Sequence, residues 1–160
     1  MHKESEKVEW FVREVRESEE AARREIVKAA TRELRKTYGP RTTGSQCDRA
    51  PNEVLVALIG SMLVGTSEYI RKDDHIYVQG VAVHPEYQGI GVCRALLCKA
   101  EEIAMKDNLQ TLALCAIEET GNVQIFEKLG FKVISRAVST NYISPEGCPV
   151  AQVEMERNFA

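Results

Sequence analysis

Long apolar runs are missing from this chain of 160 residues. A membrane-spanning helix needs about 18 consecutive apolar residues, and no segment approaches that length, so we expect no membrane partner. The first residues, Met1 to Lys7, are charged and lack the apolar segment of a signal peptide. These two absences together predict a cytoplasmic protein.

An excess of positive charge is missing as well. The chain has 21 Lys and Arg against 24 Asp and Glu, a net charge of −3. Because nucleic-acid binding depends on Lys and Arg that neutralise phosphates, we expect no nucleic-acid partner. The three histidines, His2, His75 and His84, do not have the spacing of metal ligands, so we expect no metal.

Paired cysteines are also lacking. The five cysteines are odd in number and form no Cys-x-x-Cys pair. Cys93, Cys98 and Cys115 lie in apolar segments, where a free thiol behaves as a small hydrophobic side chain. The pattern predicts a protein of a reducing compartment without a disulfide framework.

What the chain does have is ordinary globular composition, with 44% hydrophobic and 28% charged residues. Its length fits one domain over residues 1–160. Apolar residues at i+4 spacing predict a first helix that ends at Tyr38-Gly39-Pro40. They are Ala22, Ile26, Ala30 and Leu34. A strand over 7–15 precedes this helix, and a polar loop from Arg41 to Pro51 follows it.

Strand signals dominate the middle of the chain. Runs rich in β-branched residues predict strands over Glu53–Ile59, Met62–Arg71 and His75–Val83, joined by short turns into an antiparallel meander. A long helix opened by residues 88–91 follows, then a buried strand over 111–117, a short helix over 122–129, and strands over 131–138 and 150–156. This order of a meander followed by α-β-α-β-β predicts an α/β (α+β) fold, a mixed sheet covered by helices.

The most specific local pattern is a strand, a turn and a helix start, Val81-Ala82-Val83-His84-Pro85-Glu86-Tyr87-Gln88-Gly89-Ile90-Gly91-Val92-Cys93. The first amides of a helix have no intrahelical acceptor and favour an anion such as pyrophosphate, although the glycines alone fit a plain tight turn equally well. A Walker A loop is disfavoured because no Gly-Lys-Ser/Thr follows. A dinucleotide fingerprint is disfavoured because Arg94 occupies its third small position.

This segment resembles the acetyl-CoA loop of the GNAT superfamily of N-acetyltransferases. A second stretch, Asn122-Val123-Gln124-Ile125-Phe126-Glu127-Lys128-Leu129-Gly130-Phe131, resembles that family's Asn-…-Tyr-Glu-Lys-Leu-Gly-Phe segment. The spacing of the two motifs and the preceding strand order also match, most clearly from His75 to Arg136. The resemblance implies a GNAT-like acyl-CoA N-acyltransferase fold with acetyl-CoA as co-substrate.

The resemblance also implies a set of cofactor-binding residues. Main-chain groups of Val81, Ala82 and Val83 would pair with the pantetheine arm as an added strand. Amides of Gln88, Gly89, Ile90, Gly91, Val92 and Cys93 would hold the pyrophosphate. Asn122 would bond the pantetheine and cap its helix, and Phe126 would line the same cleft. The family's usual acidic tyrosine falls on Phe126, which cannot donate a proton, so water, Tyr87 or Tyr142 would have to substitute.

Transfer of an acetyl group to an amine needs a group that takes the amine's proton and a backbone N–H for the thioester oxygen. Family members carry the proton-relay groups on the strand before the loop. Strand alternation places His75, Tyr77 and Gln79 on one face and Ile76, Val78 and Gly80 on the other. We predict a water-mediated relay through Tyr77 and Gln79, with His75 one step nearer the hairpin. A solvated strand face is the alternative.

The resemblance therefore implies an N-acetyltransferase that acts on a primary amine of a small or amino-acid-like molecule. A protein N-terminus or lysine is an alternative acceptor. A non-catalytic acetyl-CoA-binding sensor or structural domain is another alternative, favoured by Phe126. The candidate acceptor walls are the first helix, residues 41–48, Glu118-Glu119 and residues 142–149. Because family members often pair through their C-terminal strands, a homodimer is a further expectation.

Overall fold

A computed structural model describes residues 10–41 and 52–159. It contains eight strands and three α-helices within those residues. The strands are β1 (Trp10–Glu14), β2 (Gly39–Pro40), β3 (Glu53–Ile59), β4 (Met62–Arg71), β5 (Ile76–Val83), β6 (Thr111–Ile117), β7 (Lys132–Ile143) and β8 (Pro149–Asn158). The helices are α1 (Glu20–Leu34), α2 (Val92–Lys106) and α3 (Asn122–Lys128). Cys47, Asp48 and most of the predicted 41–51 loop lie outside the described residues.

All eight strands join one mixed sheet in the order β1-β3-β4-β5-β6-β8-β7-β2. Every neighbouring pair is antiparallel except β5 and β6, which run parallel. A parallel pair needs a long crossover, and α2 provides it here. The predicted α/β class, with a meander followed by α-β-α-β-β, is confirmed.

The side of the sheet beneath α2 holds the main apolar core. Leu55, Tyr69, Ile76 and Val78 point to this side and pack with the buried residues of α2. Those helix residues are Val92, Leu96, Leu97, Ala100 and Ala104. Burial of this apolar layer stabilises the fold through the hydrophobic effect.

The opposite side of the sheet carries α1, which packs mainly against β4 and β5. Ile26 is the one fully buried residue of α1; Ala22 is exposed, whereas Ala30 and Leu34 are half-buried. The helix therefore rests on a narrow stripe, as its predicted i+4 pattern indicated. Beyond α1, this side carries polar and aromatic residues from β5, β6, β7 and β8.

Several predicted boundaries differ from the structure. Helix α1 ends at Leu34, before the predicted end at residues 38–40. Gly39–Pro40 instead forms a two-residue edge strand, absent from the prediction, that pairs with Ile143 and Tyr142 of β7. Helix α2 begins at Val92 rather than at residue 88, because the glycines adopt left-handed angles incompatible with a helix. Strand β7 runs five residues past the predicted end, to Ile143.

Candidate active site

A crevice opens between the parallel strands β5 and β6. Their pairing covers only Ile76 with Leu112 and Tyr77 with Ala113, whereas the other edge of β5 pairs with β4 from Arg71 to Gly65. Past Tyr77, the main-chain groups on the β6 edge of β5 therefore have no strand partner. Such an edge binds extended ligands by adding them as a strand.

A β-bulge interrupts β5 in the crevice. Thr66 pairs with Ala82 but Glu68 pairs with Gln79, so β5 has one extra residue in this interval. Gly80 is exposed and adopts a left-handed φ of 61°, which suits glycine. The predicted alternation placed Gly80 on the core face; this is wrong, because the bulge removes Gly80 from that face. Bulges often occur next to active sites, where they redirect main-chain groups.

The loop from His84 to Gly91 turns the chain from β5 into α2. Pro85 to Tyr87 form one 3₁₀ turn, and His84 Nδ1 accepts a hydrogen bond of 3.1 Å from the Glu86 amide. Gly89 and Gly91 follow with φ of 79° and 103°, and neither has an atom within 4 Å of a built Cβ. Left-handed backbone, rather than lack of space, is therefore what requires glycine at these two positions.

Seven amides at the start of α2 are free for a ligand. No acceptor among the described residues receives the amides of residues 88–94, and the first bond of this turn joins the Ala95 amide to the Gly91 carbonyl at 3.0 Å. Arg94 adds an exposed guanidinium here that forms no ion pair within the described residues. Free amides, the helix dipole and a nearby arginine are features that favour a bound anion, and sequence reasoning had not singled out Arg94 as part of them.

Cys93 is the second residue of α2 and its side chain is half-buried. Burial raises the pKa of this thiol to about 11. A helix N-terminus usually lowers a cysteine pKa, but desolvation dominates here. The side chain is therefore a neutral apolar contact rather than a nucleophile.

Asn122 and Phe126 lie on α3, which packs against β6. Asn122 is the first residue of the helix and Gly121 holds the N-cap position with a φ of 80°. The predicted capping by the Asn122 side chain is therefore wrong. Phe126 packs edge-on against Phe131, with ring centroids 5.9 Å apart, and it offers the site only an apolar surface.

Tyr77 and Gln79 share one face of β5, as predicted; they are half-buried on the side of the sheet opposite α2, while Ile76 and Val78 point into the core. Burial raises the pKa of Tyr77 far above its usual value, and Cys115, Glu154 and Tyr142 raise it further. Tyr77 is therefore a neutral phenol at physiological pH. A neutral phenol can donate or pass a proton, but it is not an anionic base.

Aromatic rings border this polar face on the far side of the crevice. Tyr38 and Tyr142 meet edge to face with centroids 5.1 Å apart, and Arg35 lies 5.7 Å from the Tyr38 ring centre. Burial also raises the pKa of Tyr38, with Tyr142 contributing. The result is a surface of phenol rings beside Glu154 of β8, suited to an organic cation.

Of the remaining predicted residues, His75 and Tyr87 are not brought to this point, whereas Tyr142 lies nearby. His75 lies at the hairpin, with Nδ1 2.6 Å from Asp74 Oδ1, roughly 13 Å along the strand from Gln79 at 3.3 Å per residue. The Tyr87 hydroxyl donates to Met62 Sδ at 3.4 Å, on the β4 side of β5. Tyr142 does lie near Tyr77, but on the β7 side.

The two predicted acidic wall residues already have partners. The Glu118 carboxylate accepts a hydrogen bond of 3.1 Å from Arg136 Nε. The Glu119 carboxylate accepts the Ala151 amide at 3.0 and 3.1 Å. Both carboxylates therefore fasten the end of β6 to β7 and β8.

Residues 10–41 and 52–159 contain neither a candidate metal site nor a candidate membrane-spanning helix. No group of three His, Cys, Asp or Glu side chains in this part of the chain could hold a metal ion. None of the helices described there is both long and apolar enough to cross a membrane.

The crevice, the bulge and the free amides agree with a comparison of the sequence with family models. The model described as the acetyltransferase (GNAT) family matches residues 14–131, which is more than half of the chain. The chain belongs to the GNAT acetyltransferase family. Membership confirms the family predicted from the two motifs and the predicted enzyme class, an acyltransferase of a family that uses acetyl-CoA.

Solved structures confirm the fold. A Salmonella typhimurium protein solved with its cofactor acetyl-CoA has a TM-score of 0.68 at 18% identity, covering 94% of both chains. A Bacillus anthracis protein in complex with acetyl coenzyme A has a TM-score of 0.70 at 14% identity, covering 96% of this chain and 99% of that one. The ribosomal-protein-S18-alanine N-acetyltransferase of Escherichia coli has a TM-score of 0.67 at 17% identity over 95% of each chain. No curated protein matches the sequence at a significant level.

Proposed function

We propose that this GNAT acetyltransferase moves an acetyl group from acetyl-CoA to a primary amine of a small or amino-acid-like molecule. The observation that carries the proposal is the one-sided pairing of β5, whose open edge leads to the free amides of residues 88–94. This juxtaposition fits a donor that combines an amide-bearing arm with a diphosphate.

The residues present fit acetyl-CoA part by part. The open edge at Val81, Ala82 and Val83 matches an arm that itself carries amides, and the free amides of residues 88–93 match the diphosphate. Asn122 is half-buried at the start of α3, and we assign it to the same arm. Cys93 and Phe126 supply apolar contacts.

We assign the acetyl-transfer step to the bulge at Gly80 and to the polar face beside it. A main-chain N–H at the bulge stabilises the negative charge that grows on the thioester oxygen. Tyr77 and Gln79 hold water molecules that carry the amine's proton away. We give His75 no part in the relay, because it lies near the hairpin and contacts Asp74.

The acceptor enters from the side of the phenol rings. The half-buried rings of Tyr38, Tyr77 and Tyr142 favour a compact organic amine. A protein N-terminus or lysine remains the alternative acceptor. Phe126, in place of the family's acidic tyrosine, favours a second candidate function, an acetyl-CoA sensor without turnover.

The proposal treats residues 1–160 as one cytoplasmic domain, supported by the single sheet and by four free cysteines, Cys93, Cys98, Cys115 and Cys148. It includes a homodimer through β7. The outer edge of β7 over 132–138 has no strand partner among the described residues, and Ile134 and Val138 are 58% and 64% exposed. Light scattering after gel filtration measures this association directly.

The test of the function separates binding from turnover. Acetyl-CoA at 100 times its dissociation constant should stabilise the protein by about 2.7 kcal/mol in a thermal-shift assay. Mass spectrometry should then detect acetylated product from a panel of tyramine, cadaverine, lysine and an alanine-initiated peptide. Binding without product from any amine would support the sensor, and no binding would refute both functions.

A further inference from the structure

A carboxylate lies beside the bulge that sequence reasoning did not single out. Glu68 of β4 pairs with Gln79 across the strands, so both side chains point to the side of the sheet opposite α2. A Cβ built on Gly80 would lie 3.0 Å from Glu68 Oε2. The carboxylate therefore covers the bulge glycine, next to the end of the open edge.

Glu68, like Glu156 of β8, is a half-buried carboxylate of the sheet without a side-chain partner among the described residues, whereas three other carboxylates near the sheet have partners. Glu53 bonds Arg71, Glu118 bonds Arg136, and Glu119 accepts the Ala151 amide. Glu68 is half-buried, yet it forms no ion pair or side-chain hydrogen bond within the described residues. A half-buried carboxylate without a partner gives up hydration without compensation from the protein, so a role in folding does not explain it.

The reaction needs a proton acceptor that the predicted relay lacks. An amine attacks a thioester only as the neutral species, whereas a free alkyl amine is protonated at pH 7. Gln79 does not ionise, and the raised pKa of Tyr77 keeps its phenol neutral. Two carboxylates lie on this face: Glu154 acts on Tyr77 and already accepts a hydrogen bond of 3.4 Å from Gln152, whereas only Glu68 lies within 4 Å of a Cβ built on the bulge glycine.

We propose that the Glu68 carboxylate takes the proton from the acceptor's ammonium group at the bulge, which makes it a catalytic residue of this acetyltransferase. The inference rests on the proposed function, and it assigns the base to a strand different from the one that carries Tyr77 and Gln79.

The proton balance of the step is complete. Glu68 takes one proton from R–NH3⁺ and later releases it to solvent. The neutral amine attacks the thioester carbon, a C–N bond forms and the C–S bond breaks. A second proton passes from the new nitrogen through water to the leaving thiolate, and the third stays on the amide product.

The test compares Glu68→Gln with the wild type and with Glu102→Gln, a control that removes an exposed carboxylate of α2 paired only with Lys99. The probe is whichever panel amine the wild type acetylates fastest. At pH 7 we expect Glu68→Gln to lower kcat/KM about 100-fold, the low end for general-base catalysis. The dissociation constant of acetyl-CoA, measured by calorimetry, should not change. Glu102→Gln should behave as the wild type.

The pH profile distinguishes a base from a structural residue. Without a base, the rate depends on the free amine, so Glu68→Gln should gain about tenfold per pH unit and approach the wild type at about pH 9. Glu68→Asp should recover part of the rate at pH 7. Full activity of Glu68→Gln at pH 7, or an equal loss at every pH, would overturn the role of Glu68 and leave the proposed function standing. A wild type that binds acetyl-CoA but acetylates no amine would overturn both.

Discussion

The two edges of β5 differ in how much of their length is paired with a neighbouring strand. Along β4 the edge is paired from Ile76 to Val83, interrupted only by the bulge at Gly80. Along β6 the pairing stops after Tyr77. The difference teaches that a ligand-binding edge needs a rigid partner on its other side, since a strand paired on neither edge would have to be ordered by the ligand itself at an entropic cost.

The first way to test this comparison is to remove the polar groups that face the acceptor. We expect Tyr77→Phe combined with Gln79→Ala to lower kcat about 100-fold, because the water relay loses both anchors, while acetyl-CoA binding is unchanged. Steady-state kinetics and calorimetry measure the two effects.

Tyr69→Phe is the matched control for that double variant. Tyr69 is 1% exposed on β4, facing the core, and its hydroxyl has no hydrogen-bond partner within the described residues. Its removal should leave kcat unchanged. A double variant as active as this control would refute the relay.

The second test disturbs the paired edge. Gly65 pairs with Val83, and a Cβ at Gly65 would lie 2.5 Å from Val92 Cγ1 at the start of α2. We expect Gly65→Ala to destabilise the fold by about 2 kcal/mol through overpacking and to weaken acetyl-CoA binding by shifting α2. Urea unfolding gives the free energy.

Gly39→Ala serves as the comparison for Gly65→Ala. Its added Cβ would meet only Arg35 Cδ at 3.4 Å, an ordinary contact. We expect a change below about 0.5 kcal/mol. Equal losses of unfolding free energy for the two substitutions would show that the close approach of α2 to β4 does not cause the destabilisation.

The third test places a charge at the open end of the crevice. Ile90 is 50% exposed between the two left-handed glycines. A carboxylate there should repel a diphosphate, so Ile90→Glu should raise the dissociation constant of acetyl-CoA about tenfold at low salt and less at high salt. Ile134→Glu adds the same charge at a 58% exposed site on β7 and should have no effect on binding.

The smallest effect concerns Cys93. Since burial raises its pKa to about 11, roughly one thiol in a thousand is ionised at pH 8, and the ionised fraction grows as pH rises. A thiol-reactive reagent should therefore label the exposed Cys98 and Cys148 before Cys93, and Cys93→Ala should keep its activity. Rapid labelling of Cys93 at pH 7 would contradict this, and mass spectrometry of the digested protein identifies the order.

Local patterns were sufficient to predict the meander. Strands β3 and β4 have the predicted bounds, and β5 starts only one residue later than predicted. The agreement is close because β-branched runs and short turns specify these strands locally. The glycine loop was located for the same reason. The start of α3 at Asn122 was predicted, but the capping role of the Asn122 side chain and the start of α2 were wrong, because left-handed glycines fix both helix boundaries through backbone angles that no side-chain pattern reveals.

Features that depend on distant pairing escaped prediction. The two-residue strand β2 contains a proline and exists only because β7 lies beside it. The bulge at Gly80 is defined by the register against β4, so strand alternation mistook Gly80 for a core position. Glu68 was missed for the same reason, since its nearness to Gly80 follows from a cross-strand register.

The short contact of β5 with β6 has a mechanical meaning. It divides the described sheet into two antiparallel panels. One panel consists of β1, β3, β4 and β5, and the other of β6, β8, β7 and β2. Strand β2 is the only described strand that precedes β5 in the sequence but lies in the second panel. A ligand bound in the crevice holds the two panels together by contacting both. Pulling the chain from its ends should therefore separate β5 from β6 first, and a bound ligand should raise the force that this separation requires.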